Sequence, residues 1–294
     1  VLLGFIHALL FWDGDILLAY GLVGLICWRL VRDAPSVKSL FNTGVMLYLV
    51  GIAVLLLLGA ISGSETNRAW TPDASALLYE QYWKVNGGVE AISNRVDALS
   101  NSLLALGAQY GWQLAGMMLL GAALMRSGWL KGQFRLSHYR RSGFLLIAVG
   151  LLINLPAVVV QWQLDWSYRW CAFLLQAPRE LSSPFQTLGY TALMFGYWPQ
   201  LSRSKIAHAI ACVGRMALTN YLLQTVICTT LFYQFGLFMK FDRLELLLFV
   251  IPVWLANLLF SVIWLRFLPQ GPMEWLWRQL TLRASGTSLS HTSR

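Results

Sequence analysis

From Leu40 to Ile61 the chain runs without a single charged residue. A stretch of that length matches the roughly 20 apolar residues that cross a bilayer as a helix. It belongs to a series: residues 1–12, 16–31, 37–61, 102–126, 142–161, 184–201, 216–235 and 244–267 are all apolar. Lipid offers no water to backbone N–H and C=O groups, so such segments must satisfy them internally, as helices. The alternation that marks membrane strands is absent. The expected fold is all-α, a polytopic transmembrane helix bundle with eight membrane segments. The composition agrees, at 57% hydrophobic and only 12% charged, against about 25% charge in a soluble domain.

The net charge of +9 does not point to nucleic acid. The basic residues are strung between apolar runs, as in a membrane protein whose partner is the lipid bilayer. One set of loops carries Arg29, Arg32 and Lys38, then Arg126 to Arg141, then Arg203, Lys205 and Arg215, then Arg266, Arg278 and Arg283. The opposite set, with Arg68, Lys84, Arg95, Arg169, Arg179, Lys240 and Arg243, is sparser and sits in longer loops. The positive-inside rule then makes the first set and the C-terminus cytoplasmic, and turns segments 62–101 and 162–183 outward. The first apolar segment is short for a span, and Val1 opens the chain. That segment is expected to be a truncated helix with an N-terminal part before it. The cysteines form no CxxC pair, and neither a disulfide framework nor a metal site is expected.

The remaining features hang on a single expected bundle, residues 1–283. In 62–101, Leu78, Tyr82, Val85, Val89, Ile92, Val96, Leu99 and Leu103 recur at steps of three and four. This is the apolar stripe of an amphipathic helix, capped by Asp73 or Ser75 and bent at Gly87-Gly88, lying on the bundle or the outer leaflet, or acting as a lid. Segment 162–183 is rich in Trp and Tyr, as at a headgroup interface or a sugar-binding shelf. Loop 131–141 is basic, fit for anionic lipid or a phosphate-bearing cofactor. Residues 271–282 read as an interfacial helix with Pro272 in its first turn and a Glu274–Arg278 pair. Residues 284–294 read as a disordered tail.

Two groups of polar residues stand inside the apolar segments. The first is a set of amides: Gln109, Gln113, Asn154, Asn220, Gln224 and Asn257, the last followed by Ser261. An amide in lipid must find a partner, so these either tie helices together or line a polar cavity that binds substrate. The second group is in the opening stretch. His7 lies in the first segment, and Asp13, Gly14 and Asp15 form the turn to the next. An intramembrane titratable residue is a functional candidate, and a carboxylate beside a histidine orients it as a base. Gly14 is expected to take the unusual backbone angles of the turn. The alternative is structural: either Asp capping the helix that follows.

Three stretches carry a resemblance. His7-Ala8-Leu9-Leu10-Phe11-Trp12-Asp13-Gly14-Asp15-Ile16-Leu17, Gly214-Arg215-Met216-Ala217-Leu218-Thr219-Asn220-Tyr221-Leu222-Leu223-Gln224 and Gly271-Pro272-Met273-Glu274-Trp275-Leu276-Trp277-Arg278 together resemble the YeiB family of bacterial inner-membrane proteins. That family is grouped by fold with transmembrane acyltransferases, among them the lysosomal enzyme that acetylates heparan glucosamine from acetyl-CoA. The resemblance implies a multi-pass protein of the bacterial inner membrane. It also implies transfer of an acyl group from a donor such as acetyl-CoA to an acceptor, a small molecule, glycan or lipid. The family opens with a Leu-Asp-x-x-Arg-Gly-like helix that this chain lacks, and the acyltransferases' histidine lies in that early region, so it is not carried onto His7. Within this chain the expected catalytic residues are His7 as base, with Asp13 or Asp15 as its orienter, and Asn220 and Gln224 as amide donors. The competing expectation is a transporter or lipid- or solute-binding protein using the same cavity.

Overall fold

A computed structural model describes residues 1–63 and 70–284. The tail expected at 284–294 lies, from residue 285 on, outside the described residues. Among the described residues all regular structure is helical: α1 (Leu2–Leu10), α2 (Leu17–Arg32), α3 (Val37–Ile61), α4 (Ala74–Asn86), α5 (Gly88–Ala105), α6 (Gly111–Arg126), α7 (Leu136–Gln163), α8 (Gln176–Leu201), α9 (Lys205–Arg215), α10 (Ala217–Thr229), α11 (Arg243–Phe267) and α12 (Pro272–Ala284). Every apolar segment of the sequence falls on a helix.

The count of eight membrane segments is not confirmed. Among the described residues four stretches are long and apolar enough to cross a membrane: Val37–Ile61, Gly88–Arg126, Leu136–Gln163 and Arg243–Phe267. The pair Lys205–Arg215 and Ala217–Gln234, bent by 85°, makes a fifth if taken as one broken span. Helices α1 and α2, at 9 and 16 residues, fall short on length.

The chain divides into two compact units, Val1–Glu80 with Gly88–Trp198, and Gln81–Gly87 with Pro199–Arg294. In the first, α3 packs along α6 at glycine contacts. A Cβ on Gly116 would stand 2.6 Å from the Gly44 carbonyl oxygen and 2.7 Å from the Tyr48 amide nitrogen. Removing side chains there lets two backbones meet, the usual basis of membrane-helix contact. Leu40, Leu119, Leu106, Val23 and Cys27 form the core beside this contact.

The segment 62–101 departs from its expected form in two ways. Asp73 does cap α4, accepting from the Ala76 amide at 2.8 Å, and the chain breaks at Gly87 and Gly88, with φ of +69° and +73°. Beyond the break, however, α5 runs on through a π-helical turn, Leu106–Tyr110, into α6, giving one helical stretch of 39 residues. The apolar stripe is also not the packed face: Leu78, Val89, Ile92 and Val96 are exposed, while Ala91 and Arg95 are buried. The residues of α5 that pack on the bundle are Ala91, too small to register as apolar, and Arg95, which reads as surface in the sequence.

In the second unit, α11 begins with a capping box. Asp242 accepts from the Leu244 and Glu245 amides at 2.9 and 2.8 Å, and Glu245 accepts from the Asp242 amide at 2.9 Å. That motif satisfies the orphan donors of a helix start. Glu274 of α12 caps α10, accepting from the Thr219 amide at 3.0 Å and from its hydroxyl. The expected Glu274–Arg278 pair does not form, since the carboxylate turns toward these donors. Gly271 makes room for it, as a Cβ there would overlap Glu274 Oε2 at 2.1 Å.

Candidate site at the end of the first helix

A close helix contact assembles the site. A Cβ on Gly4 would stand 2.3 Å from the Leu18 amide nitrogen and 2.7 Å from the Leu17 carbonyl carbon. With no side chain at position 4, α1 settles against the first turn of α2. One turn further along α1, His7 then reaches Asp15, with Nδ1 2.8 Å from Oδ1 and side chains 4% and 1% exposed. The other carboxylate oxygen, Oδ2, accepts from the Leu18 amide at 2.8 Å. Asp15 therefore caps α2 and holds the imidazole with the same group. The Phe11 ring lies nearly parallel to the imidazole, 6.1 Å between centroids.

Burial pushes the Asp15 carboxyl up. The His7 hydrogen bond, the Leu18 and Leu17 amides and the charge of His7 outweigh it and hold the carboxyl below its ordinary value. A carboxylate only accepts, so Nδ1 carries the hydrogen facing Asp15, and in the neutral imidazole the basic lone pair is on Nε2. That is the tautomer and orientation of a histidine base held by an acid.

The structure joins His7 to Asp15. Asp13 sits in the same turn, half-buried, two residues before it. Gly14 does not take a positive φ. It supplies space instead: a Cβ there would lie 2.5 Å from the Trp12 indole.

Sequence reasoning missed Arg95, counted only as a loop charge. It lies in α5, 9% exposed, and Nη1 donates to the Leu10 carbonyl oxygen at 3.0 Å. Its guanidinium therefore stands at the carboxyl end of α1, one turn from His7. The usable signal was its i,i+4 spacing from Ala91, a small residue that permits close packing.

The amides divide between the two units. In the first, Gln109 stands on the π-helical turn and donates to the Gly51 carbonyl at 3.2 Å and to Gln113 Oε1 at 2.9 Å. The first bond ties the π-helical turn to α3 and the second stays within the same helical stretch, while Asn154 of α7 is half-buried. In the second, Asn220 donates to the Val213 carbonyl at 3.1 Å and to Ser261 Oγ at 2.8 Å, and Ser261 donates to the Asn257 carbonyl at 2.8 Å. Both amide hydrogens of Asn220 are engaged, so it offers an acceptor and no donor for an oxyanion. Gln224, expected beside it, is exposed. Thr225, the next residue of α10, is buried in its place.

Comparison with known proteins places the chain. A family model described as "Protein of unknown function (DUF418)" matches residues 124–284. The chain is 81% identical over its full length to the protein named uncharacterized protein YeiB of Escherichia coli (strain K12), covering 76% of that protein. It is 30% identical to uncharacterized protein YxaH of Bacillus subtilis (strain 168), over 96% of this chain and 69% of that one. It is 26% identical to an uncharacterized 39.9 kDa protein of Bacillus acidopullulyticus, over 82% and 72%. No solved structure matches. With helices apolar enough for a multi-pass membrane protein, the chain belongs to the DUF418 family that includes YeiB.

Proposed function

We propose that this protein is an inner-membrane acyltransferase in which His7 is the base and Asp15 its orienter. The observation that carries the reading is the buried His7–Asp15 pair at 2.8 Å, its side chains 4% and 1% exposed. His7 Nε2 takes the proton from an acceptor hydroxyl or amine as the acceptor's oxygen or nitrogen attacks the carbonyl carbon of an acyl thioester. Asp15 stabilises the imidazolium that forms. The carbon–sulfur bond then breaks, and the imidazolium returns its proton to the leaving thiolate, which leaves the acyl group on the acceptor and the histidine neutral.

Acetyl-CoA is the donor we propose, and the acceptor is a glycan, lipid or small molecule carrying a hydroxyl or amine. The test is release of coenzyme A from acetyl-CoA by the purified full-length protein, with and without candidate acceptors. Acceptor-dependent thiol release with acylation of the acceptor supports acyl transfer. Solute flux into proteoliposomes with no acyl donor and no thiol release supports transport instead.

A further inference from the structure

Several arginines of this chain cap helix ends, and Arg95 differs from them in one respect. Arg126 is exposed and donates to the Val31, Arg32 and Ala34 carbonyls at the end of α2. Arg169 is half-buried and donates to Gly59 and Ala60 at the end of α3. Each of these is open to water and makes more than one bond. Arg95 is 9% exposed and makes one bond, from Nη1 to the Leu10 carbonyl. Its Nε is buried with no partner, and no carboxylate pairs with it among the described residues.

A helix cap needs one donor and no full charge. Withdrawing an unpaired guanidinium from water costs several kcal/mol, which one neutral carbonyl and the carboxyl end of a helix do not offset. With Nη1 on Leu10 and Nε enclosed by protein, Nη2 is the nitrogen left to donate to an incoming oxygen. The full charge of the guanidinium makes an anionic oxygen, of a phosphate or carboxylate, the partner that offsets its burial. Through Leu10 the guanidinium is fixed to the carboxyl end of α1, the helix that carries His7 one turn earlier.

We propose that Arg95 anchors an oxyanion, a phosphate or carboxylate group, of the molecule that reacts at the His7–Asp15 pair. The position of the anion relative to the chemistry rests on the acyl-transfer reading. The anion site itself rests on Arg95 alone. Arg95 is thus a substrate-anchoring residue, and it selects for anionic substrates over neutral ones.

The test uses the full-length protein in a phosphate-free maltoside detergent, with thermal unfolding followed as inorganic phosphate is added at constant ionic strength. A ligand that binds only the folded state raises Tm with saturation. Wild type and His7→Gln should both show the rise. Arg95→Lys should keep a weaker one, and Arg95→Gln, which retains a donor for Leu10, should show none. If short-chain phosphatidylglycerol gives the Arg95-dependent rise and inorganic phosphate does not, the oxyanion is a lipid headgroup; the converse makes it a free phosphate. No rise with either, or an equal rise in Arg95→Gln, overturns the proposal. A protein with no acceptor-dependent thiol release that keeps the Arg95-dependent rise fails the transfer reading and leaves the anion site standing.

Discussion

Gly4 and Leu18 meet backbone to backbone: a Cβ on the glycine would lie 2.3 Å from the Leu18 amide nitrogen. The same Leu18 amide donates to Asp15, and Asp15 holds His7. The approach of α1 to α2 and the geometry of the histidine are therefore one feature. Gly4→Ala should push the helices apart and cost about 1–3 kcal/mol, the usual range for overpacking. It should also weaken the His7–Asp15 bond, read as a changed imidazole chemical shift in labelled protein. An unchanged Tm and an unchanged shift would show that the contact is dispensable.

Asp15 carries a pH signature. Its carboxyl is held below the ordinary value of 3.8 in the folded protein. A depressed folded value contributes stability above the unfolded value, and that contribution disappears as pH falls through the folded one. The Tm gap between wild type and Asp15→Asn should be constant near neutral pH and shrink below 3.8. A gap that does not change on acidification would mean that the carboxylate charge contributes nothing to the bond.

Glu274 acts as the cap of α10 through Thr219. Glu274→Ala should lower stability by about 1 kcal/mol, as for loss of a helix cap. Arg278→Ala should have no comparable effect, because the carboxylate is not paired to it. Equal losses for both variants would restore the ion pair.

The orientation expected from the Lys and Arg distribution has its own test. In a background without other cysteines, Ser93→Cys should react with an impermeant thiol reagent in intact cells. Ser137→Cys should stay protected until the cells are opened. The reverse pattern contradicts the assignment of segment 62–101 to the outer face.

Legibility in the sequence followed the strength of the physical signal. Runs such as Leu40 to Ile61 exclude every alternative to a helix, so the positions of the helices could be read directly. The number of spans could not, because α1, α2 and α8 are helical without satisfying the length and hydropathy of a crossing, and α9 and α10 meet at a bend. His7 and Asp15 could be singled out as titratable residues caught between apolar runs. Their pairing over Asp13 depended on Gly4, whose value is the absence of a side chain and leaves no mark in a hydropathy pattern. Arg95 was hidden for a related reason: a charged residue on a polar-looking helix face reads as solvated, and only the packing of α5 on α1 shows it enclosed. Gln224 shares the spacing of a buried pair with Asn220, yet it is Thr225 beside it that the structure buries.

The central claim is that His7 moves a proton in acyl transfer, and its most direct test is the rate of acceptor-dependent coenzyme A release from acetyl-CoA by folded, full-length wild type and His7→Gln. Loss of a positioned general base lowers the rate by about 10²–10⁴-fold, so His7→Gln should fall by that much, while Asp15→Asn falls less and the fold is retained. A wild-type rate of transfer that survives unchanged in His7→Gln would contradict the account and make the His7–Asp15 pair a structural tie between α1 and α2.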